Sequence, residues 1–184
     1  MPDGHDPGGK VRTLMPSGME GGASFHGPGD CYRTTLWRSW GRTGERFVFL
    51  GMNPSTAGAR HNDPTITREC GFAMRDGASG LWKLNVSAYR ATRPADLLKA
   101  TVPLDCPENR AAILSLTQAP KFIVAFGCLP PVLRPIGGFQ DDWARGMSLL
   151  STMERFPGSL MTIMDGAQPA STNALARSMP QPVA

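Results

Sequence analysis

The chain has 184 residues, 41% hydrophobic and 18% charged, which suits one soluble globular domain with a full-sized core. Its net charge of +4 and pI near 9.1 admit a polyanionic partner but exclude a charge-driven nucleic-acid coat. No apolar run reaches the ~18 residues of a membrane span, and the N-terminus lacks the apolar stretch of a signal peptide, so no membrane contact and a cytoplasmic location are expected.

Residues 1–29 are rich in Gly, Pro and Ser without a sustained period and read as a flexible arm. A single α/β domain is expected over 30–178, with 179–184 as a tail. Order is expected to begin near Cys31, where Leu36, Trp37 and Trp40 supply apolar anchors among Arg33, Arg38 and Arg42. "RFVFLGM" reads as a buried strand. "STAGARHND" reads as a loop, and "DPTITRECGFAMRDG" as a helix with Asp63 at its N-cap, Pro64 at its first position and Gly77 beyond its end.

"GLWKLNVSAY" predicts a second strand and "RPADLLKA" a short helix. "DCPENRAAILSLTQ" predicts a further helix opened by Pro107, with Asp105 or Cys106 near its cap. "KFIVAFGC" is a third apolar strand, 141–156 has helical spacing, and "SLMTIMDG" is a fourth strand. Strands alternating with helices predict a central, mainly parallel sheet of about four strands covered on both sides, an α/β three-layer sandwich.

Ligands of such sheets sit at the carboxyl ends of the strands. That rule brings together Gly51-Met52-Asn53-Pro54-Ser55, Asn85-Val86-Ser87-Ala88-Tyr89-Arg90 and Gly127-Cys128. An asparagine carries two donors and an acceptor and does not titrate, so it suits holding a water or reading the edge of a heterocycle. Glycines at 51 and 127 let the backbone approach a ligand. The competing reading of Asn53-Pro54-Ser55 is a turn. Asp63 reads more readily as a helix cap than as a catalytic carboxylate.

No Ser-His-Asp pattern, HExxH, Walker loop or GxGxxG is present, and His5, His26 and His61 form no metal triad. Cys31, Cys70, Cys106 and Cys128 lack the spacing of a zinc site or an iron–sulfur ligand set, so reduced thiols, no metal and no cofactor are expected.

The ordered strings "CYRTTLWRSWG", "FVFLGMNPSTAGARHNDPTITRECGFA", "LWKLNVSAYRATRPADL", "PENRAAI" and "FIVAFG" resemble the bacterial and phage domain-of-unknown-function family 1643. More distantly, strand–Gly-x-Asn-Pro, strand–Asn followed by Arg, and apolar strand–Gly are similar to the uracil-DNA glycosylase superfamily. That resemblance implies a glycosylase-like fold and a monofunctional DNA glycosylase acting on a flipped, modified or mismatched pyrimidine. Asn53 matches the asparagine that positions the attacking water in the mismatch-specific thymine and uracil branch, and Asn85 the base-reading asparagine of the iron–sulfur branch. Gly51, Met52, Pro54, Ser55, Tyr89 and Gly127 would line the substrate site, with Asp63 a second catalytic candidate. Arg60, Arg90, Arg93, Ser171 and Thr172 would meet DNA.

Ser171-Thr172 stand where relatives carry a late His-Pro. Phe72, Tyr89 and His61 are candidates for the aromatic that stacks on the base. Ser55-Thr56-Ala57-Gly58 replace the bulky residue of uracil-specific relatives, so a pocket open to 5-substituted bases, including modified phage DNA, is implied. The protein is expected to act as a monomer. A non-catalytic nucleic-acid-binding module of the same fold, or an enzyme acting on modified nucleotides, stays open beside this reading.

Overall fold

The computed structural model describes residues 4–9, 12–117, 119, 121–126 and 160–163. Its main sheet has six strands: β2 (Glu20–His26), β3 (Tyr32–Ser39), β4 (Arg46–Gly51), β6 (Gly80–Asn85), β7 (Lys121–Val124) and β8 (Leu160–Ile163). They lie in the order β2-β3-β6-β4-β7-β8. A two-stranded ribbon pairs β1 (Thr13–Leu14) with β5 (His61–Asn62).

The sheet is mixed. Strands β6, β4, β7 and β8 run parallel to one another, while β2 and β3 extend it as an antiparallel edge. The expectation of about four strands therefore needs correction by two, both at the N-terminal side.

Residues 20–26 sit in the stretch expected to be a flexible arm, yet they form β2. Its glycines explain the difference. A Cβ on Gly22 would come within 2.5 Å of Trp37 Nε1, and one on Gly21 within 2.7 Å of Arg38 Nη1. The glycines leave room for two large cross-strand neighbours, so glycine here marks close packing. Further upstream, Thr92 N donates to Pro7 O at 2.8 Å and His5 Nε2 to Arg90 O at 2.7 Å. Residues 5–8 thus strap the loop that follows β6.

Helix α1 (Pro64–Arg75) opens as the sequence predicts. Asp63 Oδ1 accepts from Ile66 N at 2.9 Å, and Pro64 takes a position that needs no N–H partner. Gly77 lies just beyond the end with a φ of 82°. Helix α2 (Pro107–Leu116) starts at Cys106, and Asp105 accepts from Asn109 and Arg110. The short helix expected near 94 is a 3-10 turn, Pro94–Lys99. The helical segment expected over 141–156 lies outside the described residues.

Side chains alternate across β4. Phe47 and Phe49 join Leu81, Ile123, Ile66 and Cys70 in the core under α1. Val48 and Leu50 join Leu84, Phe122, Val124 and Ile113 in the core under α2. The two helices therefore cover opposite faces, and β4 is apolar on both sides, as a central parallel strand must be. No helix among the described residues is long and apolar enough to cross a membrane.

Candidate functional site

From β4 the chain crosses through α1 to β6 on one side, then through α2 to β7 on the other. Connections leaving a strand in opposite directions open a crevice at its carboxyl end. Here the crevice is a cavity of about 180 Å³.

Its polarity comes from the sheet face under α1. The paired positions along β4 and β6 run Phe47 with Leu81, Phe49 with Lys83, then Gly51 with Asn85. The face turns from apolar to polar toward the strand ends. The opposite face stays apolar through Leu50, Leu84 and Val86. Gly51, Lys83 and Asn85 line the cavity from the sheet, with Ala125 behind them. Met52, Asn53 and Ser55 line it from the turn after β4, Asp63, Thr65 and Ile66 from the start of α1, and Arg33 from β3.

Asn85 is 1% exposed, and neither its Nδ2 nor its Oδ1 has a hydrogen-bond partner. A buried amide without partners is penalised by about 1–3 kcal/mol per group. Its backbone, by contrast, is held firmly. Buried Asn109 of α2 donates to Asn85 O at 3.0 Å, and Val86 N donates to Gly51 O at 2.9 Å.

Asn53 is placed differently. Its Nδ2 donates to Ala91 O at 2.7 Å and to Pro54 O at 3.1 Å, so its donors tie the turn after β4 to the loop after β6. Pro54 O accepts from Ala91 N at 2.8 Å, and Ser55 shares a hydrogen bond with Thr92 at 2.9 Å. Asn53 Oδ1 is the atom left for the cavity.

Beneath these residues Lys83 Nζ meets Glu69 Oε1 at 2.5 Å, with both side chains about 5% exposed or less. Burial raises the Glu69 carboxyl above its usual range, and the Lys83 ammonium opposes that rise. Arg33 is also buried. Its Nη1 donates to Ala57 O at 2.9 Å, its Nε has no partner, and burial pushes its guanidinium down to about 10, with Asp63 and Glu69 opposing. Asp63 faces the cavity while capping α1, and its second oxygen accepts from Ala57 N at 3.4 Å. Arg38 fixes the approach to α1, donating to Asn62 Oδ1, Gly58 O and His61 O.

The structure thus brings Asn53, Asp63, Gly51, Met52, Ser55 and Asn85 to one cavity. Pro54 is buried beside it. Tyr89 is not a lining residue; it packs edge-on against Tyr32 and His5. Phe72 packs on Phe49, and His61 is an exposed residue of β5, so none of the three stacking candidates reaches the cavity. Arg60 and Arg93 are exposed. Arg90 is engaged within the chain: Nη1 donates to Asp30 O at 2.9 Å, and the guanidinium lies 5.0 Å from the centre of the Phe25 ring. Gly127, Ser171 and Thr172 lie outside the described residues.

Sequence reasoning missed Lys83, Glu69 and Arg33. A signal existed in "LWKLN", where a lysine stands mid-strand at a position that period 2 assigns to the core. A matching one lay in "TITREC", where Glu69 sits three residues after Ile66 on the apolar stripe of α1.

Among the described residues no group of three or more His, Cys, Asp or Glu could hold a metal ion. A family model described as "Protein of unknown function (DUF1643)" matches residues 33–156. No curated protein and no solved structure matches the chain.

Proposed function

The chain belongs to the DUF1643 family, and we propose that it is a monofunctional DNA glycosylase that hydrolyses the N-glycosidic bond of a flipped, modified or mismatched pyrimidine. The observation that carries this reading is Asn85: a buried amide, backbone fixed, with donor and acceptor both unpartnered beside a cavity. Such an amide matches an adjacent donor–acceptor pair on a pyrimidine edge. At about 180 Å³ the space is below the ~300–1,000 Å³ of drug-sized sites, which suits one heterocycle.

In this mechanism Asn85 grips the base edge after it leaves the stack. Asn53 Oδ1 accepts a hydrogen bond from a water and aims its oxygen at C1′ of the sugar. Charge developing on the base is met by the polar floor of the cavity. Asp63 holds the start of α1, whose amino end favours negative charge nearby. Of the small residues from Ser55 to Gly58, Ser55 lines the cavity, and its small side chain leaves room for a 5-substituent, so modified phage DNA is the substrate we favour, in antiviral defence or phage DNA processing. Exposed Arg60 and Arg93 would take phosphates. The proposal includes a glycosylase-like three-layer fold around the parallel strands, and a cytoplasmic monomer with DNA as partner.

The test is incubation with DNAs bearing different pyrimidine modifications or mismatches, followed by alkali. Abasic sites break under alkali, so strand cleavage at one pyrimidine type is expected. Tight binding without breaks would instead support a non-catalytic module, and turnover of free modified nucleotides alone an enzyme of nucleotide metabolism.

A further inference from the structure

We propose that the Lys83 ammonium is the group that receives the negative charge of the departing base. The assignment rests on the glycosylase reading and deepens it. A lysine buried merely for stability would be sealed in its ion pair, because well-packed apolar residues do as well or better there. Lys83 is not sealed: it lines the cavity. Of its three donors, the hydrogen bond among the described residues goes to Glu69 Oε1.

The space beside Nζ is kept open by Gly51. A Cβ there would meet Lys83 Nζ at 2.6 Å and Asn85 Oδ1 at 2.9 Å. A single position next to Gly51 is therefore in contact with the lysine and the unpartnered amide together. A pyrimidine that donates its N3–H to Asn85 Oδ1 carries a ring oxygen substituent beside that nitrogen, on the side that Lys83 Nζ can reach. Glu69 holds the ammonium in place, and its other oxygen, Oε2, is unpartnered. Arg33, the other buried cation at the cavity, gives Nη1 to Ala57 O and has Nε unpartnered, but the three atoms nearest the position beside Gly51 belong to Lys83 and Asn85.

The step balances with water as co-reactant. The water oxygen bonds to C1′, the C1′–N1 bond breaks with its electron pair going to the base, and the water's proton passes to the base through solvent. Lys83 transfers no proton in this step; it donates a hydrogen bond that strengthens as charge builds.

The test measures single-turnover release of thymine, uracil and 5-fluorouracil, three leaving groups of rising acidity, from DNA by the full chain. A cation that stabilises the leaving anion matters most for the least acidic base. Lys83→Met should slow thymine release by about 10²–10³-fold and 5-fluorouracil release by about tenfold or less. Because Lys83→Met leaves Glu69 unpaired, Lys83→Met/Glu69→Gln is measured beside it and should show the same graded loss while folding normally. Equal slowing of all three bases, or wild-type rates in the double variant, would overturn the role of Lys83 and leave the glycosylase reading standing. Wild-type protein that leaves these three DNAs and the modified and mismatched DNAs of the alkali test intact would overturn both.

Discussion

Two strand ends meet at the cavity, and they use the same residue type in opposite ways. At the end of β4, Asn53 turns both amide hydrogens onto carbonyls of its own surroundings, Ala91 and Pro54. At the end of β6, Asn85 gives its backbone to the scaffold and keeps its whole amide unpartnered. One asparagine holds the walls together and offers one acceptor; the other offers a complete edge. A buried polar group that satisfies nothing inside the fold is the stronger pointer to a ligand.

The largest effect that would sharpen this contrast is at Asn85. Asn85→Ala should reduce base release by about 10³-fold, the upper range for one aligned group, while the melting temperature stays put, because no partner is orphaned. A clear drop in stability would break the contrast and make Asn85 a structural residue.

Next comes Lys83, on the same strand. Lys83→Met should destabilise the fold by about 3 kcal/mol near neutral pH, since it leaves a buried carboxylate unpaired. Glu69 is already raised by burial, with Lys83 opposing, so without the lysine its folded value climbs further while the unfolded value stays ordinary. The folded state then binds the proton more tightly. Stability is therefore fullest below the ordinary carboxylate range and is lost as pH rises through the folded value. Melting should be higher at about pH 5 than at about pH 8, a difference that Glu69→Gln in the same background removes.

At Asn53 the expected loss is smaller and comes with a structural component. Asn53→Ala should lower release by about 10²-fold and stability by about 1 kcal/mol, because Ala91 O loses a donor. Asn53→Asp keeps an acceptor for the water and should be more active than the alanine variant. It also sets a carboxylate oxygen against Ala91 O and weakens DNA binding, more sharply at low salt. An unchanged rate in Asn53→Ala would reduce this residue to a turn former. The smallest effect is expected for Asp63→Asn, which still caps α1 through Oδ1 but loses the long bond from Ala57 N, and should shift stability by less than about 1 kcal/mol with activity retained. Lost activity at an unchanged melting point would move Asp63 from cap to chemistry.

Much of this was legible from local pattern. The parallel strands announce themselves as apolar runs, and α1 carries its start signal in Asp63-Pro64. Asn53 and Asn85 follow from the rule that ligands sit at strand ends. What was not legible depends on neighbours distant in sequence. Gly21 and Gly22 look like linker residues until Trp37 and Arg38 lie over them. Lys83 and Glu69 stand at core positions by period, but that they pair is visible only once α1 folds onto β6. Arg90 looks like a phosphate ligand until Asp30, His5 and Phe25 surround it.

The strap formed by residues 5–8 has a consequence for the order of assembly. These residues are made some 85 positions before their partners at Arg90 and Thr92. The β2–β3 hairpin closes over a short stretch and can form early, whereas β3 finds β6 only across more than forty residues. Longer loops are slower to close. The strap is thus synthesised well before its partners and is among the last segments to dock. A chain shortened before residue 10 should still build its sheet, and would lose the tie that steadies the loop carrying Arg90 and Thr92.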